Sequence, residues 1–209
     1  MGICYLKHKG KFPCNCCKSQ GIYYIAIPSV KGMGDFAVDT ANFEYESRKN
    51  LLVNGSFEKA KNQIKTSADA WSKMAATNTG FELIYDDVTK ESAQKIWDSG
   101  LGVGVGYFSG LYQTVQVVGG KAFRTNAKVQ IFEIKEAIVQ LYIDFVDAQN
   151  KFVGTFITDT ALVNNEYVAL NISESVPVTA VNARVYIILR STSANGMGTF
   201  FVDSADFEQ

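Results

Sequence analysis

The chain reads as an all-β protein, a jelly-roll sandwich of two antiparallel sheets, on three observations. Residues 123–131 and 139–146 alternate apolar and polar side chains with a period of two. Turn-forming segments separate these and other short apolar runs. The 209 residues include 14 Phe and 10 Tyr against one His and three Pro, a balance that suits strands.

The elements follow in order. From Phe81 onward the pattern is that of strands. Residues 101–108 carry Gly102, Gly104 and Gly106 at every second position, which predicts a strand with little packing on one face. Residues 112–118 form the next strand, ended by Gly119-Gly120. In residues 123–131, Phe123, Thr125, Ala127, Val129 and Ile131 face inward, and Arg124, Asn126, Lys128 and Gln130 face outward. In residues 139–146, Val139, Leu141, Ile143 and Phe145 point inward, and Gln140, Tyr142 and Asp144 outward. Asp147-Ala148-Gln149-Asn150 is turn chemistry, so residues 151–158 return as the second arm of a hairpin. Further strands fall at residues 167–172, 184–190 and 199–207. Only residues 87–97 suit a helix, with Asp87 as cap and Val88, Ala93, Ile96 and Trp97 sharing a face. Packed face to face, such sheets make a jelly roll.

One phrase is written twice. Residues 32–44, GMGDFAVDTANFE, return as residues 196–208, GMGTFFVDSADFE, with nine of thirteen positions identical and an offset of 164. That period is too long for a solenoid unit and is the size of a domain. The organisation expected is the tail of one repeat at residues 22–46, then one complete domain at residues 48–209. Residues 1–21 hold all four cysteines (Cys4, Cys14, Cys16, Cys17), the only histidine and no acid. They match no zinc-finger spacing and are expected to form a poorly ordered Cys- and Lys-rich leader.

Charge and motif content exclude several classes. The net charge is −1, so no basic field recruits nucleic acid. No run approaches the roughly 18 apolar residues of a membrane span, and the N-terminal residues lack a signal peptide's apolar core. The only histidine, His8, lies in the leader, which leaves a Ser-His-Asp or Cys-His arrangement without its base. The segment Gly102-Val103-Gly104-Val105-Gly106 lacks the lysine and the following helix of a phosphate loop. Paired acids such as Asp86 and Asp87, or Asp144 and Asp147, look like ordinary surface acids. No enzyme activity is therefore expected.

Three phrases in order carry a family resemblance. Asn50-Leu51-Leu52-Val53-Asn54-Gly55-Ser56-Phe57-Glu58 opens the domain, followed by Trp71. Leu111-Tyr112-Gln113-Thr114-Val115-Gln116-Val117 and Gly119-Gly120-Lys121-Ala122-Phe123 lie in the middle. Phe201-Val202-Asp203-Ser204-Ala205-Asp206-Phe207-Glu208 closes it. Together they resemble the carbohydrate-binding modules of the cellulase and xylanase type, within the galactose-binding-like jelly rolls, over nearly all of residues 50–209. Phe123 stands where the family usually has Tyr, and Ser204 where it has a second Asp. The resemblance implies that the opening and closing phrases lie side by side, with Trp71 in the core. It also implies a structural calcium near their junction, with Glu58 and Asp203 as ligands; the bland alternative is that these acids cap backbone or pair with lysine.

Three readings of function follow. The first is a non-catalytic module that binds a polysaccharide or glycan by aromatic stacking and hydrogen bonds, as part of a larger secreted or cell-surface protein. Trp97, Tyr107, Arg124, Asn126, Tyr142, Asp144 and Tyr186 are its candidate ligand residues: rings for the C–H faces of sugars, polar groups for their hydroxyls. Each has a structural alternative, Trp97 as a helix anchor and the polar row from Arg124 to Gln130 as a solvated face. The second reading is a structural or adhesion spacer of a phage fibre, toxin or surface protein, with no sugar ligand. Convergence of Trp97, Tyr107, Tyr142 and Tyr186 on one exposed groove would separate the two. The third, a glycosidase or lyase, needs two carboxylates across a cleft. The strands at residues 22–27 and 35–43 have apolar faces and no parent sheet, which points to self-association through residues 22–46.

Overall fold

The computed structural model describes residues 49–59, 67–75, 78–86, 91–100, 104–163 and 166–209. The expectations for the leader, for the preceding repeat at residues 22–46 and for the first copy of the repeated phrase lie outside the described residues.

Every element among the described residues is a strand: β1 (Ser72–Met74), β2 (Thr79–Asp86), β3 (Glu91–Asp98), β4 (Phe108–Gln116), β5 (Ala122–Lys135), β6 (Ala137–Val146), β7 (Phe152–Thr160), β8 (Val168–Ser175), β9 (Asn182–Ser191) and β10 (Met197–Glu208). They form two five-stranded sheets, β1-β4-β9-β6-β7 and β2-β3-β10-β5-β8, and all pairings are antiparallel. This is the sandwich that the alternation predicts. On β5, Phe123, Thr125, Ala127, Val129 and Ile131 are buried, and on β6 so are Val139, Leu141, Ile143 and Phe145.

Four phenylalanines join the sheets. Phe123 of β5 stacks on Phe207 of β10 at 5.1 Å, and lies 5.4 Å from Phe145 of β6 and 5.7 Å from Phe156 of β7. Each such aromatic pair adds about 1 kcal/mol to the burial of its rings. Phe123 is 1% exposed, so a phenol hydroxyl here would be shut among rings with its hydrogen bonding at risk. Phenylalanine, with no hydroxyl to satisfy, fits this position.

The hairpin turn is also as predicted. The Asp147 carboxylate accepts from the N–H groups of Gln149 (3.0 Å) and Lys151 (2.9 Å), and Asn150 takes the left-handed φ of 62° that Asn tolerates.

Two expectations are corrected. Residues 91–97 are not helical; they are strand β3, with Ser92, Gln94, Ile96 and Asp98 buried on alternate positions. Three of these four inward residues are polar, which hid the period of two. The two larger ones have partners that make burial tolerable. Gln94 accepts from Ala68 N–H at 2.9 Å and donates to the Glu82 and Lys95 carbonyls. Asp98 accepts from the Thr79 hydroxyl and from Gly100 N–H. The glycine-rich strand at residues 101–108 is not continuous either: Gly104–Tyr107 is a turn with Gly106 at φ 87°, and residues 101–103 lie outside the described set. Strand β1 has no counterpart in the sequence reading.

The opening and closing phrases do lie side by side, although the opening phrase is a series of turns and not a strand. The Asn50 carboxamide donates to Ala205 O (3.0 Å) and accepts from Leu52 N–H and Phe207 N–H (both 3.0 Å). Ala205 N–H donates to Gly55 O at 2.7 Å, and a Cβ on Gly55 would fall 2.2 Å from Ala205 O, so only glycine fits. On the other side, the Gln113 carboxamide clasps both backbone groups of Val53, at 2.7 and 3.0 Å. Trp71 is core, as expected: it stacks on Phe57 at 5.0 Å and its indole N–H donates to Asn54 O. Replacing Asn50 with Ala leaves three backbone groups without their partner, and a loss of about 2 kcal/mol is expected in urea unfolding, with unchanged strand content by circular dichroism.

Candidate functional site

The strand order β4-β9-β6 sets three tyrosines in one row. Tyr112 pairs in register with Tyr186, and Tyr186 with Tyr142. All three occupy outward positions, opposite the buried Leu111, Ile187 and Leu141. The ring centroids of Tyr112 and Tyr186 are 5.5 Å apart and stacked; those of Tyr186 and Tyr142 are also 5.5 Å apart, edge to face. Ser72 of β1 and Ile157 of β7 continue the row to the sheet's two edges. Tyr186 thus meets a ring on each side, and its faces are largely taken by its neighbours.

Polar residues flank the row. One step along, Thr114, Arg184, Asp144 and Thr155 stand opposite each other in register. One step the other way stand Ile188, Gln140 and Asp159. The Gln140 amide donates to Asp159 at 3.4 Å, and Arg184 donates to Asn150. Two oxygens on β6, one on each side of Tyr142, are shut from solvent with no hydrogen-bond partner: Gln140 Oε1 and Asp144 Oδ1. An unpaired buried acceptor of this kind disfavours the free protein by about 1–3 kcal/mol. The face is therefore short of donors.

The phenols respond to this setting. Burial, then hydrogen bonding and charge from Asp144, push Tyr142 above the ordinary tyrosine value; Thr155 opposes this. Burial and the Asp144 charge push Tyr186 up as well, against Arg184.

The seven predicted ligand residues do not form one site. Tyr142, Asp144 and Tyr186 come together on the first sheet. Tyr107 precedes β4 at one end of that sheet, half exposed, its carbonyl accepting from Ser191 N–H. Arg124, Asn126 and Trp97 lie on the outer face of the other sheet. Even there they are apart: Arg124 stands opposite Glu208 and Trp97 opposite Thr199, nine residues along β10 or about 30 Å. Arg124 forms a 2.8 Å ion pair with Glu208, and the Asn126 amide donates to Asp206; Asn126 Oδ1 and Asp206 Oδ1 are buried without partners, as are Gln140 Oε1 and Asp144 Oδ1 on the first sheet. Trp97, Tyr107, Tyr142 and Tyr186 therefore do not converge on one groove; Tyr142 and Tyr186 instead share a row with Tyr112. Tyr112 belongs to this row and Gln140 flanks it, although neither was among the seven. Their outward positions were legible, but the neighbouring strands were not.

Trp97 has surroundings of its own. Its indole lies over the edge strand, where a Cβ on Gly80 would come within 2.0 Å of the ring, and Lys95 Nζ sits 5.2 Å from its centroid. A cavity of about 350 Å³ opens there, lined by Lys95, Trp97, Phe132, Glu133, Thr199 and Phe201.

Glu58 and Asp203 are hard oxygen ligands of the type calcium takes, and each already has a protein partner. Glu58 Oε1 accepts from Ser92 N–H at 2.9 Å, and Asp203 faces Lys128 at 3.8 Å. No group of three or more His, Cys, Asp or Glu side chains converges among the described residues, so most of calcium's roughly six to eight ligands would have to be carbonyls or water.

No protein-family model matches the chain. No curated protein matches it either. Solved structures do. A family 61 carbohydrate-binding module, TmCBM61, in complex with beta-1,4-galactotriose shares 13% identity at a TM-score of 0.52, covering 77% of this chain and 99% of that one. The CBM22-1 xylan-binding domain of Paenibacillus barcinonensis Xyn10C shares 12% at 0.51, over 77% and 94%. The enzymatically active domain of bacteriophage CBA120 tailspike protein 4 shares 15% at 0.55, over 76% of this chain and only 21% of the tailspike. At these identities the likeness is one of fold. The chain has the jelly-roll fold of carbohydrate-binding modules, the type its three phrases resemble.

Two pH effects are expected. Asp144→Asn removes a cause of the shift at both phenols, so Tyr142 and Tyr186 should ionise closer to the ordinary value in a phenolate absorbance titration. Burial raises the Asp206 carboxyl, against the lowering bond from Asn126. The folded state then holds its proton longer than the unfolded state, whose value is 3.8. This group's contribution to stability is full below that value and is lost as pH rises through the raised one. Asp206→Asn should remove that downward slope in denaturation measured across mildly acidic pH.

Proposed function

We propose that the unit Arg48–Gln209 is a non-catalytic glycan-binding module of a larger secreted or cell-surface protein, and that the tyrosine row of the first sheet is its binding face. The observation that carries this is the row itself: three tyrosines in register across β4, β9 and β6, with Thr114, Arg184, Asp144 and Thr155 on one side and Gln140 and Asp159 on the other. A sugar is dense in hydroxyls, which pair with phenol, carboxylate, guanidinium and hydroxyl groups of the kind that flank this row. Because Tyr186 is already packed between rings, the row offers phenol hydroxyls and ring edges more than an open stacking platform. Hydrogen bonding therefore carries more of the recognition than the stacking expected from sequence. Binding of this kind makes and breaks no bond, and the likeness to modules that bind galactotriose and xylan supports it at the level of fold.

Isothermal calorimetry against a panel of neutral polysaccharides tests it. Tyr142→Ala and Gln140→Ala should each weaken binding about ten-fold, the equivalent of one lost hydrogen-bonding contact of about 1.4 kcal/mol. A panel with no ligand at all sinks the proposal in favour of the spacer reading. The division of Trp97, Tyr107, Tyr142 and Tyr186 between two faces is the observation on that second reading's side.

Calcium enters as a separate proposal. Glu58 and Asp203 would hold it once Glu58 releases Ser92 N–H and Asp203 turns from Lys128. A melting temperature raised by calcium, with the rise lost in Asp203→Asn, supports it; a melting temperature indifferent to both calcium and chelator rules it out.

A further inference from the structure

We infer that the outer face of the second sheet holds a second ligand site, the cavity beside Trp97, and that it takes one end of a neutral glycan. Three adjacent strands supply its walls: Trp97 from β3, Phe201 from β10 and Phe132 from β5. Its volume, about 350 Å³, falls at the lower end of small-ligand sites. That suits one or two sugar rings and not a long chain.

The lining has the two chemistries a pyranose needs. Phe132 is 68% exposed, a large ring with an uncovered surface for a sugar's C–H face. The Thr199 hydroxyl donates to the Glu133 carboxylate at 2.9 Å, and Lys95 Nζ stands over Trp97 at 5.2 Å. Acceptor, hydroxyl and ammonium therefore share one rim. Lys95 and Glu133 cancel in charge, so the rim has no net field to draw a charged sugar in preference to a neutral one.

The Trp97 ring is held before any ligand arrives. Gly80 stands directly across from it on β2, and the indole occupies the space that a side chain would fill. A fixed ring loses little freedom on binding.

A protein partner fits the surroundings less well. A stable interface covers about 800 Å² on each side. Away from the cavity this face carries Arg124, Lys128, Asp203, Asp206 and Glu208, whose charges are engaged with one another or with Asn126. The tyrosine row lies on the other sheet, about 10 Å away through the core, so the two sites cannot share one ligand ring. A module with both would bridge two glycan chains.

The test uses the full chain, with beta-1,4-galactotriose and xylohexaose as calorimetric probes. The expected result is two binding events. Phe132→Ala and Gly80→Ala, the latter displacing the indole, should each weaken one event about ten-fold and leave intact the event that Tyr142→Ala weakens. Phe132 is exposed, so its variant should melt as the parent does. A single event, sensitive to Tyr142→Ala and indifferent to Phe132→Ala, overturns this inference and leaves the tyrosine-row reading standing. A single event with the opposite sensitivities does the reverse. Absence of binding by both sugars, or a dimer in sizing that Phe132→Ala breaks, also overturns it.

Discussion

The sandwich depends on the clasp that the opening phrase makes between its two sheets. The backbone of Val53 is held by Gln113 on β4, in the first sheet. Two to three residues away, Asn50 and Gly55 are bound to Ala205 and Phe207 on β10, in the second. Phe57 and Trp71 then stack beneath this segment and close that side of the core. Each bond alone contributes about 1 kcal/mol. Their joint effect is larger than their sum suggests, because they fix a segment that has no strand pairing of its own. Backbone groups there would otherwise be buried without partners.

The same closing strand organises the second sheet. β10 pairs with β3 on one side and β5 on the other, with register shifts at Thr199/Phe200 and Val202/Ser204. Bulges bend and twist a strand locally. The first of them lies beside Trp97, Glu133 and Phe201, which line the cavity; the second places Asp203 toward Lys128. In the first sheet, β9 plays the matching part. It lies between β4 and β6, and in doing so sets Tyr186 between Tyr112 and Tyr142.

Much of the fold was legible because most strands of this protein bury apolar residues on one face and expose polar ones on the other. The exception shows the limit. β3 buries Ser92, Gln94 and Asp98, and a period of two written in polar residues resembles no strand. Gln94 and Asp98 are inward because Ala68, Glu82, Thr79 and Gly100 offer them hydrogen bonds, and three of these partners lie more than ten residues away. The glycine-rich run failed for the converse reason: alternation without side chains to bury carries no preference for a sheet. Phe123, by contrast, was read correctly as inward, and only its neighbours Phe145, Phe156 and Phe207 show that a ring without a hydroxyl fits there.

By itself, the sequence determined the strand class, the inward faces of β5 and β6, the Asp147–Asn150 turn and the contact between the opening and closing phrases. The first three rest on alternation and turn chemistry, which are local to the chain; the last rests on the resemblance of the phrases, since Asn50 and Gly55 meet Ala205 and Phe207 about 150 residues away. Only the tertiary structure decided which outward residues become neighbours. Tyr142 and Tyr186 are 44 residues apart in the chain and touch, whereas Trp97 and Tyr107 are 10 apart and serve different faces. Side-chain direction is a property of one strand, but a site is a property of strand order, and strand order is set by which sheets the long connections cross. That order assembled the tyrosine row, separated it from the Trp97 cavity, and left the unpaired oxygens of Gln140 and Asp144 facing the same row.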